Sequence, residues 1–96
     1  MFLHLGGEFV IRLKDVISIM DLETTTISKI TKEFLKTAEE EGFIINISDD
    51  IPKSYVITEV DKKSKIYLSP ISSVTLFKRA KYLDTIVNVN KSSISD

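Results

Sequence analysis

The chain has 96 residues, 43% of them hydrophobic and 28% charged, with 13 Lys and Arg against 14 Asp and Glu. That length and mix describe one globular domain, not a disordered segment, and a domain of this size buries only roughly 60–70% of its unfolded surface, so association between copies would stabilise it. The absence of cysteine excludes disulfides, thiol nucleophiles and thiolate metal sites, and a net charge of −1 excludes the overall basic excess that marks most nucleic-acid binders.

From the N-terminus, "MFLHL", "EFVIRL" and "DVISIMDL" are short β-branched and aromatic runs split by turn signals. They predict three strands over about 2–5, 8–13 and 16–22. Gly6-Gly7 suits a tight turn, and Lys14-Asp15 occupies the second connection. In "TTTISKITKEFLKTAEEEGF", Ile27, Ile30, Phe34 and Ala38, widened by Leu35, form an apolar stripe, predicting an amphipathic helix from about 26 to 41. The Thr24–Thr26 run offers an N-cap and Gly42 a C′ residue.

"FIINI" at 43–47 reads as a buried strand, "SDDIP" as a turn, and "KSYVITEV" at 53–60 as an alternating strand. Its Tyr55 and Ile57 face one side, with Val56, Thr58 and Val60 on the other. "DKKSK" at 61–65 reads as a polar connection and "IYLS" at 66–69 as a returning strand. A second helix follows over about 70–83, with Pro70 at its first position or a later start at Ser72 or Ser73. Val74, Phe77, Ala80 and Leu83 are its expected inward stripe. "TIVNV" extends that helix or forms a strand, and the polar "NKSSISD" is expected to fray. The sum is an α+β fold: one small domain of about six short strands and two helices.

No apolar run approaches the roughly 20 residues of a membrane span, and the opening carries neither a positive n-region nor a small-residue cleavage site. We therefore expect no membrane association, no signal peptide and a cytoplasmic location. Nothing supports an enzyme. His4, the single histidine, has no partner ligands at metal spacing and reads as a structural or surface residue. Asp49-Asp50 and Glu39-Glu40-Glu41 are consecutive, so their side chains splay apart where catalysis needs two carboxyl groups converging on one cleft. Gly6-Gly7 lacks the frame of a phosphate loop. No cofactor is implied.

Two helical charge patterns bear on function. The first helix carries Lys29, Lys32 and Lys36 early and Glu39–Glu41 late, against its dipole. Ion pairs Lys29–Glu33 and Lys36–Glu40 would offset that cost, as would an anion at the helix start, held by the Thr24–Thr26 and Ser28 hydroxyls with Lys29 beside it. Lys78, Arg79 and Lys81 fall late in the second helix, where cations suit the dipole, so a stability role suffices for them.

The strings "MFLHLGGEFVIRLKDVISIMDL", "PKSYVIT" and "IYLSPISSVTLFKRA" resemble the extracellular matrix regulatory protein RemB family of Firmicutes, a branch of the wider RemA/RemB-like family. The resemblance covers residues 1 to about 83, a RemB-like domain, and leaves 84–96 as a C-terminal tail. "YLSPISSVTLFKRA" is its most specific mark, with the opening "M-x-x-HLG" in support. It implies a transcription regulator of biofilm matrix genes that binds DNA, assembles into rings around which DNA wraps, and has a fold comparable with the LytTR DNA-binding domain. The family's basic position between the second and third strands falls on Lys14, and its lysine–arginine pair early in the first helix falls close to Lys29. Its arginine pair before the "RAVIV"-like strand falls near Asp50 and Ile51, where Lys53 is the nearby basic residue.

Two functional readings follow. In the first, the protein is a homo-oligomeric DNA-binding regulator that contacts phosphates through Lys14, Lys29, Lys32, Lys53 and Arg12. In the second, it is a protein–protein module of the same pathway that does not hold DNA itself. Asp49-Asp50 discriminates between them: on one surface with Lys14, those acids would repel phosphates.

Overall fold

The structure, a computed structural model, describes residues 1–23 and 28–82. The Thr24–Thr26 run, Ile27, Leu83 and the 84–96 tail lie outside the described residues. The rest forms an α+β domain. β1 (Phe2–Gly6) and β2 (Phe9–Arg12) make an antiparallel hairpin in which Leu3 faces Ile11. A single 3-10 turn, Leu13–Asp15, leads into β3 (Val16–Asp21). Helix α1 (Lys29–Glu40), β4 (Ile44–Asn46), β5 (Ser54–Val60) and β6 (Lys63–Ser69) follow, and residues 73–82 form α2. The second sheet has the order β3-β5-β6-β4, with β4 parallel to β6 and the other neighbours antiparallel.

The alternation read in "KSYVITEV" separates two cores across this sheet. Val56 and Ile19 face the β1–β2 hairpin and α2, where they pack with Leu3, Leu5, Ile11 and Leu76. Tyr55 and Ile66 face α1 and pack with Ala38, flanked by Leu22, Leu35, Ile44 and Leu68. Burial pushes the Tyr55 phenol above its usual pKa, opposed by a hydrogen bond from the Thr31 side chain. The layers are therefore hairpin and α2, sheet, then α1.

Helix α1 starts later than the periodicity predicts. Ser28 is its N-cap, accepting from the Thr31 N–H at 3.1 Å. At the other end, Gly42 N–H donates to the Glu39 carbonyl and Phe43 N–H to that of Ala38, a Schellman closure that needs the left-handed Gly42 (φ 78°). The inward row is Thr31, Leu35 and Ala38, while Ile30 is 79% exposed and Phe34 also faces outward.

Helix α2 takes the later of its two expected starts but turns a different face inward. It begins after Ser72, whose hydroxyl accepts from the Thr75 N–H at 3.2 Å, and Pro70 precedes it. Its buried residues are Ser73 and Leu76, with Ala80 half-buried, so the Val74–Phe77 stripe is the outer face. "DKKSK" is also shorter as a connection than it reads. Asp61 and Lys62 both take positive φ, 52° and 66°, and make a two-residue hairpin turn, so that β6 already starts at Lys63 opposite Val60.

Two buried serines join the layers. Ser69 Oγ donates to the Leu5 carbonyl at 2.6 Å and accepts from Ile71 N–H, while Ser54 Oγ donates to the Ile71 carbonyl at 2.8 Å. The Gly6-Gly7 turn rests on Pro70: a Cβ at Gly6 (φ 116°) would stand 3.1 Å from that ring.

Candidate nucleic-acid interface

The basic residues singled out by sequence fall into two groups at opposite ends of the large sheet. Arg12 closes β2, and Lys14 is the exposed middle residue of the 3-10 turn. Arg12 Nε donates to Asp15 Oδ2 at 2.7 Å. That bond orients the guanidinium and neutralises part of its field, whereas Lys14 makes no ion pair with a described residue. Val16 pairs with Thr58, so this turn sits beyond the Thr58 end of β5.

There the β5–β6 hairpin outruns β3. Lys63 and Lys65 lie two apart on β6 and therefore on one face. With Thr58, Val60, Asp61 and Tyr67 they line a groove of about 260 Å³. An adjoining groove of about 250 Å³ is lined by Val10, Ile11, Arg12 and Asp15 together with the same Thr58, Val60 and Tyr67. The shared lining makes one trough between β2 and the hairpin, with Arg12 on one wall, Lys63 and Lys65 on the other, and Tyr67 on its floor. Sequence reading misses Lys63 and Lys65 because "DKKSK" lacks the glycine that usually announces a two-residue turn, and so hides a strand in a polar run. The usable signal is the Lys–Ser–Lys alternation leading into "IYLS".

The second group lies at the opposite end. Lys53 precedes β5, its N–H donating to the Ser69 carbonyl and its carbonyl accepting from Leu22 N–H. The length of β5, seven residues at about 3.3 Å each, separates it from the Lys14 turn by roughly 20 Å. Lys29 and Lys32, both exposed, lie in the first turn of α1, which starts over Tyr55 at the Lys53 end. Ser28 is engaged as the cap there, and neither Lys29–Glu33 nor Lys36–Glu40 closes to ion-pair distance. The 48–52 turn is at this end too, since Ile47 N–H donates to the Leu68 carbonyl and Lys53 N–H to that of Ser69. Asp49, Asp50 and the exposed Ile51 are thus remote from Lys14 and close to Lys53.

In the second helix, Arg79 Nη1 donates to the His4 carbonyl at 3.2 Å and fastens α2 to β1. Among the described residues no cluster of three or more His, Cys, Asp or Glu forms a metal-binding group, and no helix is long and apolar enough to cross a membrane.

What this arrangement offers chemically is a cation-lined trough with one tethered arginine, flexible lysines and an aromatic floor, suited to phosphates or to an acidic partner. The model of the RemA-like family, described as extracellular matrix regulatory protein A-like, matches residues 2–80. The chain is similar to extracellular matrix regulatory protein B of Bacillus subtilis (strain 168), at 37% identity over 83 residues, covering 86% of this chain and 94% of the relative.

Proposed function

The chain belongs to the RemA-like family of extracellular matrix regulatory proteins, and from that premise we propose that it is a cytoplasmic DNA-binding regulator of matrix (biofilm) gene expression, working as a ring-like homo-oligomer. The family is named for regulation, and its name implies no catalytic step. The observation that carries the DNA reading is the gathering of Arg12, Lys63 and Lys65 around one trough, with Lys14 on the adjoining turn and Asp49-Asp50 at the far end of the sheet. In a chain of net charge −1, these four cations against Asp15 and Asp61 make a local basic excess, the sign that phosphate binding requires.

Lysines on a strand and a turn contact backbone phosphates and read little sequence. A few contacts per subunit are weak. Repeated around a ring they act together, because every contact after the first is intramolecular. Lys29, Lys32 and Lys53 lie at the other end of the sheet, the end that also holds Asp49 and Asp50, and the trough end is the proposed phosphate path.

The test is a titration of duplex DNA with purified protein across a salt series. Affinity should fall steeply with salt. Lys14→Ala, or the double change Lys63→Ala and Lys65→Ala, should weaken binding about equally on unrelated sequences. Each should also flatten the salt dependence by about one unit for every phosphate that is no longer neutralised. The partner-binding reading draws on one specific observation: the trough already contains Asp15 paired to Arg12, and Asp61. An intact oligomer that binds no DNA even at low salt would overturn the DNA reading and direct the search to a protein partner.

A further inference from the structure

The outer row of α2 is apolar where a solvated helix face would be polar. Val74 is 60% exposed and Phe77 54% exposed, and Lys78 and Lys81 continue their row at helical spacing. On the other side of the large sheet, α1 leaves part of its own core open. Phe34, Ala38, Phe43, Ile57 and Ile66 line a groove of about 390 Å³ with Glu41 among its walls. The two features complement each other: an apolar ridge followed by cations, and an apolar groove edged by an anion. They cannot meet within one copy, because Leu76 anchors α2 in the core on the hairpin side and Ala38 anchors α1 in the core on the opposite side.

We propose that α2 of one copy docks in the α1 groove of the next, with Val74 and Phe77 entering the groove and Lys78 facing Glu41. A contact between two different patches is heterologous, so each copy keeps one ridge and one groove to offer, and the chain of contacts either closes into a ring or continues as a filament. Exposed apolar area of this kind on a small domain is what association removes from water. The inference rests on the self-assembly part of the functional reading and is independent of DNA binding.

The experiment measures mass in solution, without DNA, for wild type, Phe77→Glu and Phe34→Lys. Both substitutions fall at exposed positions, and circular dichroism melting of each variant checks that it folds. Wild type should assemble and each variant alone should be monomeric. An equimolar mixture of the two should yield a species of twice the monomer mass, because one intact ridge then meets one intact groove. A monomeric wild type, variants that assemble like wild type, or a mixture that stays monomeric would each overturn the proposal. Lys78→Glu provides a second check: it should weaken assembly ten-fold or more, and adding Glu41→Lys in the same chain should restore it. No restoration would remove the Lys78–Glu41 contact from the proposal. Loss of DNA binding with assembly intact would count against the DNA reading alone, and DNA binding by a monomer would count against this contact alone.

Discussion

At the scale of single residues, the fold depends on polar atoms that look inconspicuous in the sequence. Ser69 reads as the end of a strand, yet its buried hydroxyl both donates to the Leu5 carbonyl and accepts from Ile71 N–H, tying the hairpin, the sheet and the entry to α2. Ser69→Ala leaves both groups unpaired in the interior and should cost about 1–3 kcal/mol. For a domain of this length, that lowers the thermal midpoint by roughly 4–8 °C per kcal/mol. Calorimetry on the variant checks it, and an unchanged midpoint would mean that water takes over both bonds. Arg12 teaches the complementary lesson. In the sequence it reads as a free cation, but Asp15 lies one 3-10 turn away and holds it. The spacing is in the sequence; the turn that makes it effective is not.

At the scale of elements, strands are more legible than helix faces. Period-two alternation in "KSYVITEV" assigns both sides of β5 correctly, because a strand in the middle of a sheet has two buried faces and each must be filled. The α2 helix has two adjacent rows with apolar character, Val74–Phe77 and Leu76–Ala80, and periodicity weighs them by hydrophobicity. Packing decides otherwise: Ser73 and Ala80 are small, so their side lies close to the core with Leu76 filling the space between them, fully buried. The β5–β6 turn is a similar case. Asp61 and Lys62 occupy the left-handed region without glycine, a conformation that costs an L-residue roughly 1–2 kcal/mol. Lys62→Gly should therefore stabilise the protein by about 0.5–1 kcal/mol despite the greater freedom glycine has when unfolded. A denaturant midpoint that moves up with an unchanged slope is the expected result.

At the scale of the whole molecule, the length of β5 separates two charged groups. Arg12, Lys14, Lys63 and Lys65, with Asp15 and Asp61, lie at one end; Lys29, Lys32 and Lys53, with Asp49 and Asp50, lie at the other, roughly 20 Å away along β5. That distance exceeds the screening length of about 10 Å at 0.1 M salt. Replacing Asp49 and Asp50 with Ala should then change DNA affinity less than two-fold, well below the effect of Lys14→Ala. Fluorescence anisotropy at 0.1 M salt compares the two directly. An equal effect would mean that the DNA path crosses both ends of the sheet.

The sequence by itself determined the α+β class, the number of elements among the described residues, the two faces of β5 and the family to which the chain belongs. These depend on local periodicity, turn chemistry and residue identity, and each can be read within a short window. The tertiary structure alone decided which helix faces are outward, that Lys63 and Lys65 share a trough with Arg12, and that Asp49-Asp50 lies away from Lys14. The reason is physical: such relations join residues distant in the chain, and strand order, register and the volume left in the core bring them together or keep them apart.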